Sequence, residues 1–99
     1  MNGMMKVPTA LIGSAILTNA VGLHARPSVK LTQMAKTFAA SVDVALAADG
    51  PWLDAKSPVK VMRVKAPKGA TLFFRTDGPD AAKALASILG LVRGQFGEE

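Results

Sequence analysis

The sequence predicts an α+β domain in which amphipathic helices cover one face of a sheet, and three observations predict it. Val42, Val44 and Leu46 interleave with Ser41, Asp43 and Ala45, the two-residue period of a half-buried strand. Val29, Leu31, Met34, Ala35 and Phe38, and later Ala81, Ala84, Leu85, Ile88, Leu89 and Val92, recur at three- and four-residue spacing, which is one face of a helix. Strand-like and helix-like stretches are mixed along only 99 residues, so one small domain over residues 1–99 is expected.

The elements follow in order. Leu11 to Leu17, apolar at most positions, reads as a first strand, with Asn19 to Ala25 as the loop after it. Pro27 to about Thr37 is an amphipathic helix, with Lys30, Gln33 and Lys36 off its apolar face. Ser41 to Leu46 and Trp52 to Asp54 form a hairpin through Asp49-Gly50-Pro51. Ser57-Pro58 is a helix start, serine as N-cap and proline at the first position, and Pro67 and Gly69 keep that helix short. Thr71 to Thr76 is the last strand, and Gly78-Pro79-Asp80 precedes a last helix weakened at its end by Gly94 and Gly97. Asp77 and Asp80 read as turn and cap residues, Phe73, Phe74 and Phe96 as core or partly buried, and Trp52 as packing or a local surface contact. The order is βαββαβα, with no repeat or linker; the pattern alone leaves the strand order open.

Composition narrows the function. With 49% hydrophobic residues the chain can bury a core, and with no cysteine it has neither disulfides nor thiolate metal sites, which suits a reducing cytosol. A net charge of +5 raises nucleic acid as a partner, but the cations from Lys6 to Arg93 form no long run and the four Phe and one Trp give no base-stacking motif. The same cations suit an acidic protein partner. Lys6 and the apolar stretch Val7 to Leu17 superficially resemble a signal peptide, but Pro8, Thr9, Gly13 and Ser14 interrupt it and it is too short to span a bilayer. Residues 1–9 are therefore expected to be a poorly ordered extension, with Met1, Met4 or Met5 as the start, and no membrane insertion is expected.

The one histidine sits in Gly22-Leu23-His24-Ala25-Arg26-Pro27-Ser28. A lone histidine is more often a surface residue or a cap than a reactive group. Its neighbours favour chemistry: Gly22 permits an unusual turn, Leu23 anchors the loop in the core, and Pro27 starts the helix at its first position. His24 and Arg26 then lie where unpaired N–H groups and the positive dipole end point outward. An imidazole is largely neutral and nucleophilic at pH 7, and a guanidinium can grip a phosphoryl group. Reversible phosphorylation of His24 is the chemistry that fits. A single histidine without convergent carboxylates is a poor metal site, so no metal or cofactor is expected.

The run GLHARPSVKLTQMAKTF, followed by DAKSPVKVM and KGATLFFRTDGPDAAKAL, resembles the HPr family, the histidine-containing phosphocarriers of the bacterial phosphoenolpyruvate-dependent phosphotransferase system. The likeness extends roughly from Ala15 to Phe96. It implies an open-faced sandwich, a four-stranded antiparallel sheet with three helices on one side. It implies a cytoplasmic, monomeric carrier rather than an autonomous enzyme, with His24 accepting phosphate on Nδ1 from enzyme I and delivering it to an EIIA-type protein, and with Arg26 assisting. The hairpin through Ala47 to Pro51 is slightly longer than in familiar members, an insertion tolerated at a tip.

The resemblance also gives Ser57 a second role, phosphorylation by an HPr kinase/phosphorylase that hinders docking to enzyme I. Pro58 departs from the pattern, which has a larger apolar residue there. Ala25, Pro27, Lys30, Lys56, Pro58, Val59, Lys60 and Met62 are the expected partner surface. Pro58, Val59, Val61 and Met62 are either an exposed apolar patch or, for Val59 and Met62, core filling. Two alternatives share the His24 loop: a regulator that binds targets according to its phosphorylation state, and a phosphate donor to a dihydroxyacetone kinase.

Overall fold

The computed structural model describes residues 10–20 and 22–97; the expected extension over residues 1–9 lies outside the described residues. Strand β1 spans Leu11–Ile16, helix α1 Ala25–Ala35, β2 Ser41–Ala45, β3 Leu53–Asp54, α2 Pro58–Val64, β4 Thr71–Asp77 and α3 Ala81–Arg93, with a closing 3₁₀ turn at Gln95–Gly97. This is the expected βαββαβα order. The sheet runs β1-β4-β2-β3 with every pair antiparallel, the arrangement that the family resemblance implies.

Alternation along the strands divides the sheet into two faces. Leu72, Phe74 and Thr76 of β4, Val42 and Val44 of β2, and Ala15 of β1 are buried. All but Thr76 share one hydrophobic core with Leu31 and Ala35 of α1, Val61 of α2, and Ala84, Ile88 and Val92 of α3. Leu85 and Leu89, expected on the buried side of α3, are half-buried. They lie over Gly13 of β1, where an added Cβ would meet a Leu89 methyl at 2.9 Å. The other face is open and carries Ile12 and Ile16. It also holds Arg75, whose guanidinium pairs with Asp43 at 3.0 Å and lies 4.5 Å from the Trp52 ring centre. Trp52 is thus a local surface contact, one of the two roles expected for it.

Several expectations need correction. Helix α1 begins at Ala25, with His24 as its N-cap and Pro27 at the third position rather than the first. Each of the first N–H groups of a helix lacks an intrahelical acceptor, so a proline is tolerated throughout that turn and does not mark its first residue. The helix ends at Ala35 rather than about Thr37, because both the Thr37 N–H (3.0 Å) and its hydroxyl (2.7 Å) donate to the Met34 carbonyl and tighten the chain out of the helix. Asp80 occupies the N-cap position of α3 but makes no side-chain cap. Its carboxylate accepts the N–H groups of Ala39 (3.0 Å) and Ala40 (2.7 Å), fastening the connection between α1 and β2, and these donors hold its pKa below the ordinary carboxylate value. Val61, counted with an exposed apolar patch, is fully buried, whereas Val59 and Met62 are 59% and 38% exposed and are not core residues.

Candidate functional site

The loop before α1 is fixed from below. Asn19 Nδ2 donates to the Gly22 carbonyl at 2.7 Å, and the Leu23 N–H donates to the Ala66 carbonyl at 2.8 Å. Leu23 is 3% exposed, so it anchors the loop in the core as its sequence suggests. Gly22 has φ +71°, and a Cβ there would come within 2.5 Å of the Ala66 carbonyl oxygen. Only a glycine fits both the left-handed backbone and this approach.

That anchoring raises His24 to the surface. Its backbone is extended (φ −116°, ψ −157°), its carbonyl accepts the Ser28 N–H at 2.9 Å, and its side chain makes no capping bond. The imidazole is exposed, and no side-chain hydrogen bond holds it among the described residues. Pro27 has no N–H and Ser28 gives its own to His24, so the first-turn amides beside the ring are those of Ala25 and Arg26. The first turn contains no acidic residue to offset the positive end of the helix.

The ring stands between two shallow depressions. One, of about 390 Å³, is lined by Leu23, Met62, Lys65, Ala66 and Pro67. The other, of about 570 Å³, is lined by Ala25, Arg26, Val29, Lys30 and Gln33. Basic residues line both and no carboxylate lines either. This surface can receive an anionic group at the imidazole and stabilise it with helix amides and a guanidinium.

The structure brings His24, Ala25, Arg26 and Lys30 together at the start of α1, with Met62 across the first depression. Pro27, expected on the partner surface, is instead fully buried and lines neither depression, its apolar ring being removed from water with the buried face of α1. Ser57, Pro58, Val59 and Lys60 lie at the other end of α2 and line neither depression. Ser57 caps α2, its hydroxyl accepting the Lys60 N–H at 3.3 Å. Two of the expected surface lysines also tie the fold together: Lys30 Nζ donates to the Phe96 carbonyl and Lys56 Nζ to the Phe38 carbonyl, each at 2.8 Å. Sequence reasoning missed the segment Lys65–Pro67. Its single signal is the turn pair Pro67 and Gly69, which marks a loop without showing that the loop meets Leu23. Among the described residues no group of three or more His, Cys, Asp or Glu could hold a metal ion, and no helix is long and apolar enough to cross a membrane.

The family model for the PTS HPr component phosphorylation site matches residues 13–93. The phosphocarrier protein HPr of Cupriavidus necator is 43% identical over 82 residues, which are 83% of this chain and 90% of that protein. The phosphocarrier protein NPr of Escherichia coli is 30% identical over 83 residues, 84% of this chain and 91% of that protein. Among solved structures, HPr-C-His from Thermoanaerobacter tengcongensis superposes with a TM-score of 0.81 at 28% identity, covering 90% of this chain and 98% of that one. Fold and likeness together define a small α+β phosphocarrier. The chain belongs to the HPr family, and it is an HPr-type phosphocarrier of the phosphotransferase system.

Proposed function

We propose that His24 accepts a phosphoryl group on Nδ1 from enzyme I and passes it to an EIIA-type protein in the cytoplasm. The observation that carries this reading is the exposed imidazole at the N-cap of α1, unbonded by its own helix and flanked by Arg26. In the transfer the ring nitrogen lone pair forms a bond to phosphorus as the bond from phosphorus to the donor breaks; the reverse exchange loads the acceptor. Alignment and charge neutralisation govern such a step. The amides of Ala25 and Arg26 and the Arg26 guanidinium supply part of the neutralisation, and each partner enzyme supplies the rest. An open depression on either side of the ring suits a carrier that must yield its phosphate as readily as it takes it.

Ala25, Lys30 and Met62 line the depressions beside the ring, and Lys56, Pro58, Val59 and Lys60 extend the docking surface to the start of α2. Ser57 adds a control point: phosphorylation there would place about −1.5 to −2 charges next to Lys56 and Lys60 and weaken docking of an acidic partner. The test mixes the protein with enzyme I and labelled phosphoenolpyruvate, then offers candidate EIIA proteins. Acid-labile, base-stable label on the wild type and none on His24→Ala is expected. Failure of every competent enzyme I to label the wild type would overturn the reading.

A further inference from the structure

Away from His24, the sheet has two edges of different character. The β3 edge is two residues long. The β1 edge is six residues, Leu-Ile-Gly-Ser-Ala-Ile, with neither a charge nor a proline, and natural proteins usually blunt an edge of this kind. The Leu17 N–H and carbonyl bond toward the β4 side, to Ala70 and Gly69. Backbone groups alternate along a strand, so those of Ile12, Ser14 and Ile16 point away from the sheet. Their side chains lie on the open face, where Ile12 and Ile16 are 56% and 55% exposed. A groove of about 400 Å³ runs beside them, lined by Ser14, Ala15, Ile16, Thr18 and Arg93. Arg93, at the end of α3, donates to the Ser14 carbonyl at 3.3 Å, a weak contact that an incoming strand can replace.

We propose that the β1 edge is a strand-addition site for an extended acidic segment of a partner protein, with a carboxylate of that segment paired to Arg93. The outward backbone groups of Ile12, Ser14 and Ile16 supply the ladder, and alternate side chains supply selectivity. Residues of the segment opposite Ile12 and Ile16 fall on the open face and should be apolar. The residue between those opposite Ile16 and Ser14 points to the helix side, toward Arg93, and should be acidic. A second copy is a poorer occupant, because its own β1 carries no acid and it would bring a second Arg93 to the seam. Residues 1–9 fit no better, having Lys6 and no acid. This site is independent of phosphoryl transfer at His24.

The test uses a fluorescein-labelled peptide, Thr-Ile-Glu-Thr-Val-Val-Thr, and its Gln-for-Glu counterpart, titrated with the full chain at low salt and read by anisotropy. The Glu peptide is expected to bind about tenfold more tightly than the Gln peptide, and Arg93→Gln to erase that preference. Amide exchange at Ile12, Ser14 and Ile16 should slow only when the peptide is present, and His24→Ala should change none of this. Absence of binding up to about 1 mM of either peptide, or a preference that survives in Arg93→Gln, would overturn the proposal. So would slow exchange at those amides in the chain alone with a doubled mass by light scattering, which would assign the edge to a second copy.

Discussion

Gly22→Ala tests how the His24 loop is held. The substitution places a Cβ 2.5 Å from the Ala66 carbonyl oxygen and 3.0 Å from both the Lys68 nitrogen and the Pro67 Cα, all backbone atoms that no rotamer change can move. The left-handed backbone at φ +71° costs a non-glycine residue about 1–2 kcal/mol. Relieving the contact pulls apart the Leu23 N–H to Ala66 carbonyl bond, worth about 1 kcal/mol. The expected loss is therefore about 2–3 kcal/mol, or roughly 8–24 °C in Tm for a domain of this size. Gly69→Ala is the control: φ is +93° but nothing lies within 4 Å of the added carbon, so only the backbone cost of about 1–2 kcal/mol applies. Urea and thermal unfolding of both variants measure the difference. Equal losses would refute the argument that close approach to Ala66, rather than backbone conformation alone, demands glycine at position 22. Phosphoryl acceptance should slow in Gly22→Ala and stay unchanged in Gly69→Ala.

Ser57→Ala removes a cap whose bond to the Lys60 N–H is long at 3.3 Å, so urea unfolding should show a loss near the low end for caps, about 0.5 kcal/mol. Phe96→Ala empties a fully buried site between α1 and α3, and a loss of about 3–5 kcal/mol is expected in the same assay. The Asp80 carboxyl titrates below its ordinary 3.8 in the folded chain because Ala39 and Ala40 donate to it. A depressed folded pKa contributes stability that is complete above the unfolded value and is lost as pH falls through the folded one. The stability gap between wild type and Asp80→Asn should thus be constant from neutral pH to about pH 5 and shrink below about pH 4, and a gap that widens on acidification would contradict the assigned donors.

Much of this molecule is legible in its sequence because its strands and longer helices carry clean periodicity. Val42 and Val44, or Ala84, Ile88 and Val92, announce both their element and their buried face. Strand order was not legible, since the pairing of β1 with β4 joins residues some sixty positions apart, as in Leu11 with Thr76, and no local pattern encodes it; the family resemblance supplied it. Short α2 shows the limit of periodicity. Seven residues are too few to choose a face, and burial of Val61 with exposure of Val59 and Met62 emerges only from packing. Asp80 shows a competition: a residue suited to cap α3 is drawn instead to two donors forty positions away. At the candidate site, the order Gly22, Leu23, His24, Arg26 was readable because each residue type serves a local need. The roles of Lys30 and Lys56 in bonding distant carbonyls were not.

The measurement closest to the central claim is nitrogen–phosphorus correlation NMR on the protein charged by enzyme I and phosphoenolpyruvate. Phosphorus coupled to Nδ1 of His24, with the amide resonances of Ala25 and Arg26 displaced on charging, is the predicted result. Phosphorus on any other residue, or a charged His24 that leaves those two amides where they were, would contradict it.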